Sequence, residues 1–178
     1  MKALIIPAIF IGCVFIIAVH SKADFTNIKC IDFDKTMMYF DICLLKAVNR
    51  TYKYFTIRAQ FPRHEPINNI TVNFAVHRKV NGYKPFLYNI TFDACEYLEK
   101  RNNPVIRFAH KFFEKYSTLN KTCPYGESYE LVDKVPLSYV IHLLTDVLPF
   151  PHGDYAYSLV FYYYKKKAGI VTVYMTLS

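Results

Sequence analysis

The residues of this 178-residue chain whose types and spacing could do chemistry are its cysteines, four asparagines in glycosylation sequons, and scattered histidines and aspartates. Cys13 sits in an apolar N-terminal run, while Cys30, Cys43, Cys95 and Cys123 lie beyond it. An even set of cysteines in an oxidising compartment reads as two disulfides. Cys30 and Cys43 flank the turn-like Asp34-Lys35-Thr36, as neighbours on a hairpin would, and Cys95 and Cys123 flank a helical segment. The expected bridges are therefore Cys30–Cys43 and Cys95–Cys123. A zinc site is the competing use of such residues, but Cys-x-x-Cys spacing is missing and no histidines stand a few residues apart near the cysteines, so neither a metal nor a cofactor is expected. The sequons are Asn49 (NRT), Asn69 (NIT), Asn89 (NIT) and Asn120 (NKT), none with proline in the middle position, and each modified asparagine must face solvent.

Catalysis would need a nucleophile, a base and an orienting group, and the familiar spacings for these are missing: no Gly-x-Ser-x-Gly, no His-Glu-x-x-His and no phosphate-cradling glycine loop. His64, His77, His110, His142 and His152 are scattered over loops, strands and a helix and read as surface or locally hydrogen-bonded residues. Asp32 and Asp34 flank a turn, Asp93 reads as a helix cap, and Asp41 has no acidic partner in view, so no carboxylate pair is expected. A non-enzyme is the expectation, with a secreted hydrolase as a distant alternative that would need His and Asp or Glu to converge in a cleft.

The stretch Ala3 to Val19 is apolar and uncharged, with Lys2 before it, Lys22 after it and small residues at Ser21 and Ala23. That is the layout of a secretory signal peptide, residues 1–23, and Pro7 and Gly12 favour cleavage over a membrane anchor. Residues 24–178 are then one secreted, extracellular domain with no transmembrane anchor after cleavage. The formal net charge of +8 falls by two when Lys2 and Lys22 leave, and the longest like-charge run is Lys165 to Lys167, so no nucleic-acid partner is expected. Sixteen tyrosines and fifteen phenylalanines against five glycines exclude a disordered chain.

The elements that must position these residues are mostly strands. Phe25–Ile31 and Met37–Phe61 read as two strands of a hairpin, the second long, with Phe55, Ile57 and Ala59 alternating against Tyr54, Thr56 and Arg58. Ile70, Val72, Phe74 and Val76 take one face of the next strand. Asn81-Gly82 signals a tight hairpin returning along Tyr83–Phe92, where Pro85 suggests an edge or a bulge. Asp93 and Asn103-Pro104 then start two short helices, the second with Val105, Phe108, Ala109, Phe112 and Tyr116 at helical spacing. Tyr129–Val135 is extended, Ser138–Thr145 is strand or helical turn, and Tyr155–Lys165 with Ile170–Leu177 forms a terminal hairpin across Lys166–Gly169. The fold class is mainly β: an antiparallel sandwich or cup with one or two helices inserted around residues 93–118.

Five segments carry a family resemblance: CLLKAVNR (Cys43–Arg50), KPFLYNITFDAC (Lys84–Cys95), NPVIR (Asn103–Arg107), LNKTCPY (Leu119–Tyr125) and LPFPHGDY (Leu148–Tyr155). Together they resemble a large insect family of secreted domains of unknown function that includes the CheA and CheB chemosensory proteins of flies. That family is similar in outline to the ML lipid-recognition proteins and the ganglioside activator protein. The resemblance implies a β-cup that holds a hydrophobic ligand between its sheets, with no catalytic residue.

The function expected is a secreted carrier for a lipid or small hydrophobic molecule, in a chemosensory setting and with a membrane receptor as a further partner. Candidate pocket-lining residues are Phe55, Ile57, Val72, Phe74, Leu159 and Phe161, which hold the drier faces of their strands. The alternative is an extracellular structural or adhesive module that binds protein or glycan through its outer face, its aromatics meeting to fill the interior.

Overall fold

The computed structural model describes residues 23–62, 66–119, 122–125, 128–147 and 150–178; the proposed signal peptide up to Lys22, His64 and the Asn120 sequon lie outside them. Among the described residues eight strands form two antiparallel sheets. The larger has the order β1 (Ala23–Asp32), β8 (Lys166–Leu177), β7 (Gly153–Tyr163), β4 (Ile70–Val80), β5 (Gly82–Asp93); the smaller has the order β2 (Tyr39–Ala47), β3 (Lys53–Phe61), β6 (Ser128–Pro136). Helices α1 (Ala94–Lys100) and α2 (Pro104–Lys111) follow β5, a single 3-10 turn spans Glu114–Tyr116, and α3 (Leu137–Val147) follows β6. Among the described residues no helix is long and apolar enough to cross a membrane.

Alternation along the strands builds the floor of the cup. Antiparallel register places Phe74, Leu159 and Val171 in one row across β4, β7 and β8, and Val76, Tyr157 and Val173 in the next. Residues directly opposite on neighbouring strands share a face, so these rows form one apolar surface. The smaller sheet turns Phe55, Ile57, Ala59 and Phe61 toward it. The two sheets meet ring to ring at Phe25–Phe55, with centroids 5.3 Å apart, and at Phe61–Tyr163, 6.0 Å apart. The smaller Ile57 and Ala59 lie between those contacts along β3.

The N-terminal hairpin is not as the sequence suggests. Met37–Phe61 is two strands, β2 and β3, joined by a turn in which Asn49 Oδ1 accepts hydrogen bonds from the Thr51 and Tyr52 amides. β1 pairs with β8 in the other sheet, from Ala23↔Leu177 to Asp32↔Gly169 with a bulge between Phe25 and Asn27, so it begins one residue before the proposed domain boundary. The Cys30–Cys43 disulfide, Cα atoms 6.2 Å apart, therefore staples the two sheets together instead of closing a hairpin. Cys95–Cys123, Cα atoms 5.4 Å apart, ties the start of α1 to the segment whose Tyr125 exchanges two backbone hydrogen bonds with Ile67.

At the second hairpin Gly82 takes φ +86°, a conformation open to glycine, so β5 returns at once along β4. β5 is both a sheet edge and bulged after Pro85, where Leu87 has φ +60°. The terminal hairpin turns earlier than the sequence suggests. Tyr164 and Lys165, at φ +48° and +63°, make the turn, and β8 already starts at Lys166. Two consecutive left-handed residues match the strand twist, but neither is the asparagine or glycine by which such a turn is normally read. Gly169 serves packing instead: a Cβ there would stand 3.0 Å from the Phe40 ring.

Both helix starts are capped as read. Asp93 Oδ1 accepts from the Glu96 amide, and Asn103 Oδ1 accepts from the amides of Val105 (3.0 Å) and Ile106 (3.2 Å), with Pro104 in the first turn. The buried face of α2 is Ile106, Ala109 and His110; Val105 and Phe108 are only half-buried, so the helix is rotated from the expected stripe. Tyr139 of α3 donates to the Lys111 carbonyl at 2.8 Å and fixes the end of α2. Replacing Asn103 with alanine strands two amide donors and is expected to cost about 1 kcal/mol, read as a lower urea midpoint with an unchanged slope.

Candidate functional site

Between the sheets lies an apolar cavity of about 150 Å³. Phe74, Leu159 and Val171 form its floor, Phe55, Ile57 and Val132 its roof, and Ala109, Phe112 and Phe113 of the α2 region one flank. A second chamber of about 130 Å³ adjoins it under α1 and α2, lined by Val72, Phe92, Leu98, Ile106 and Tyr125 among others. Phe61, Ala109, Phe113, Leu159, Phe161 and Tyr163 line both chambers, so the two share a wall. Of the sequence candidates, Phe55, Ile57, Phe74, Leu159 and Phe161 line the first chamber and Val72 only the second; Leu159 and Phe161 reach both.

Sequence reasoning missed the contributions of Met38 and Phe40, of Ala109, Phe112 and Phe113, and of Val171, Val173 and Met175. The signal for the last three was present, since they alternate along the terminal strand, but which face of β8 looks inward depends on its pairing with β7. Ala109 and Phe112 belong to the apolar stripe of the second helix, and that spacing is the same whether the face packs as core on a sheet or borders a cavity.

Polar groups in the walls are few. Glu130 is buried and accepts a 2.6 Å hydrogen bond from Thr118 Oγ1. His110 is buried on the second chamber, its Nδ1 3.3 Å from the Tyr97 hydroxyl and its ring edge-on to Phe113. Burial pushes the His110 pKa below the ordinary histidine value, only partly offset by Glu114, whose attraction is opposed by Arg101. Burial likewise raises the Tyr125 phenol to about 12 and the Tyr157 and Tyr163 phenols further still. Among the described lining residues Glu130 is the one carboxyl group; the others are apolar side chains, phenols and His110.

The His110 shift has a definite sign. The folded protein holds His110 neutral while the unfolded chain takes up a proton near pH 6.5, so its contribution to stability is complete above about pH 6.5 and is lost as the pH falls through the lower folded pKa. The melting temperature should therefore fall on acidification below about pH 6.5. His110→Phe, which keeps a ring against Tyr97 and Phe113, should flatten that part of the profile. Asp41, whose carboxyl is held low mainly by hydrogen bonds from Arg58, loses its stabilising charge only at pH values well below this window.

The remaining candidates for chemistry serve structure. Asp32 accepts from the Phe40 amide, Asp34 from the Thr36 amide and hydroxyl, Asp41 pairs with Arg58 at 2.6 Å, and Asp93 caps α1. His142 and His152 are exposed and His77 is half-buried on β4. Among the described residues no three histidine, cysteine or acidic side chains gather as a metal site. Asn49, Asn69 and Asn89 are all exposed.

Comparison with solved structures finds chicken MD-1 complexed with lipid IVa, at 15% identity and a TM-score of 0.35, covering 85% of this chain and 88% of that one. It also finds a Niemann-Pick type C2 protein from Japanese carpenter ant, at 12% identity and a TM-score of 0.34, covering 88% and 93%. No curated protein matches the chain. Residues 72–157 match a family model described as protein of unknown function, DUF1091.

Proposed function

We propose that this protein is a secreted, non-enzymatic carrier that holds a lipid or small hydrophobic molecule between its two sheets. The observation that carries this reading is the cavity of about 150 Å³ with its adjoining chamber, walled almost entirely by apolar side chains. A dry cavity of this order takes up apolar molecules the size of benzene, and each methylene moved into it from water contributes about 0.8 kcal/mol. Two disulfides fit an oxidising compartment. In this reading residues 1–23 are a cleaved signal, residues 24–178 form one domain, and the exposed sequons Asn49, Asn69 and Asn89 carry glycans, with Asn120 as a fourth acceptor. The segment resemblance to the CheA and CheB proteins gives chemosensation as the setting and a membrane receptor as the partner. An adhesive module with a filled interior would not leave these chambers.

The test is to express the glycosylated domain, extract it with organic solvent, identify extracted molecules by mass spectrometry, and measure displacement of an apolar fluorescent probe. A co-purifying or displaceable hydrophobe at about one per chain is the expected result. A protein that carries nothing and binds no probe would leave the adhesive reading standing.

A further inference from the structure

We propose that the two chambers act as one site for a single hydrocarbon chain longer than either holds alone, of roughly ten to twelve carbons. The ligand is then a long-chain molecule and not a compact ring or a short chain. The inference rests on the cavity being a ligand site and names the class of ligand.

The larger sheet runs beneath both chambers. β7 is its middle strand, and Leu159, Phe161 and Tyr163, successive residues of its inward face, line the two alike. The opposite wall is shared through Phe61 of β3, and the flank through Ala109 and Phe113. The same two strands and the same helical flank therefore bound both chambers, and the partition between them is made of side chains. Leu159 and Phe161 are half-buried although they face inward from the third of five strands. β8 and β4 shield them from the sides, so the surface they keep open faces the space between the sheets. Ile57, on the middle strand of the smaller sheet, is half-buried in the same way, whereas Phe74 and Val76 on β4 are fully packed. A side chain with open space beside it can turn to another staggered rotamer without displacing a neighbour, and that opens the partition to a chain.

Size and free energy favour one long chain. The first chamber matches a cavity that takes up benzene, about six carbons, and the second, at about 130 Å³, nearly doubles the space. Two short molecules would each lose their free translation and rotation on entering, whereas a single chain does so once. Each further methylene that passes into the second chamber then strengthens binding about fourfold. The walls met there suit a chain, because Val72, Leu98 and Ile106 line the second chamber and not the first.

The experiment is competition of an apolar fluorescent probe from the glycosylated domain by hexanol, octanol, decanol and dodecanol, on wild type, Val72→Phe and Leu98→Phe. In the wild type, affinity should rise about fourfold with each added methylene as far as decanol and dodecanol. Val72→Phe adds bulk to the second chamber alone, so it should weaken dodecanol at least ~10-fold and leave hexanol unchanged. Leu98→Phe reaches the same chamber from α1 and should show the same contrast, which keeps the test open if Val72→Phe does not fold. An affinity that levels off at hexanol or octanol, folded variants that treat hexanol and dodecanol alike, or a bound probe that none of the four displaces overturns the inference while leaving the binding function intact. A protein that binds neither probe nor alkanol overturns the binding function and this inference with it.

Discussion

Replacing Ala109 with leucine is expected to weaken uptake of a hydrophobic ligand at least ~10-fold while leaving the protein as stable as before or slightly more so. Ala109 is buried on α2 and its side chain lines both chambers, so added carbon atoms enter space a ligand would occupy. Displacing ligand contact worth about two methylenes, at about 0.8 kcal/mol each, already amounts to a tenfold change in affinity. The host pays little, since leucine is nearly as good a helix former as alanine and the incoming side chain gains contacts instead of forcing neighbours apart. The same substitution separates the cup from a filled sandwich. In a close-packed interior extra methylenes cost about 1–3 kcal/mol, so a marked loss of stability would mean the space is not there. Probe displacement gives the affinity and a urea titration gives the stability.

Removing the Cys30–Cys43 bridge by replacing both cysteines with alanine should cost about 3 kcal/mol, the loop-closure entropy of a cross-link spanning roughly fourteen residues. Against the roughly 5–15 kcal/mol that holds an ordinary domain together, that is a large fraction. The location adds a functional consequence. β1 and β2 belong to different sheets, and this bridge holds them together beside Met38 and Phe40, which line the first chamber. The variant should therefore lose ligand affinity along with its urea midpoint, even under conditions where it is fully folded. An equal loss of stability with unaltered affinity would mean that the staple serves only to restrict the unfolded chain.

The strand faces were legible because period-two alternation is a local property. Ile70, Val72, Phe74 and Val76 could be assigned to the buried side from their spacing, and all four are buried. So were the helix caps at Asp93 and Asn103, where a short polar side chain and the following residues carry the whole signal. The assignment of β1 was not legible, because its partner β8 lies at the far end of the chain and nothing near Phe25–Ile31 records that pairing. The bridge between Cys30 and Cys43 is as compatible with a hairpin as with a staple between sheets. The turn at Tyr164-Lys165 escaped notice because its residues are atypical for left-handed conformations, and the glycine nearby is spent on clearance for Phe40.

The chambers escaped sequence reasoning for a different reason. Whether inward aromatics meet or stand apart depends on the distance between sheets, which the end contacts Phe25–Phe55 and Phe61–Tyr163 and the helical flank set jointly. The inward face of β7 was legible: Tyr157, Leu159, Phe161 and Tyr163 alternate on one side of the strand, and all four line the first chamber.

Crystals of the glycosylated domain, stripped of any bound lipid and pressurised with xenon, test the central claim most directly, because xenon enters empty apolar cavities and marks them in electron density. A xenon peak between the sheets, bounded by Phe74, Val132, Leu159 and Val171, is the predicted result. Density in which the rings of Phe55, Phe74 and Phe161 fill that space, with no xenon between them, would contradict it.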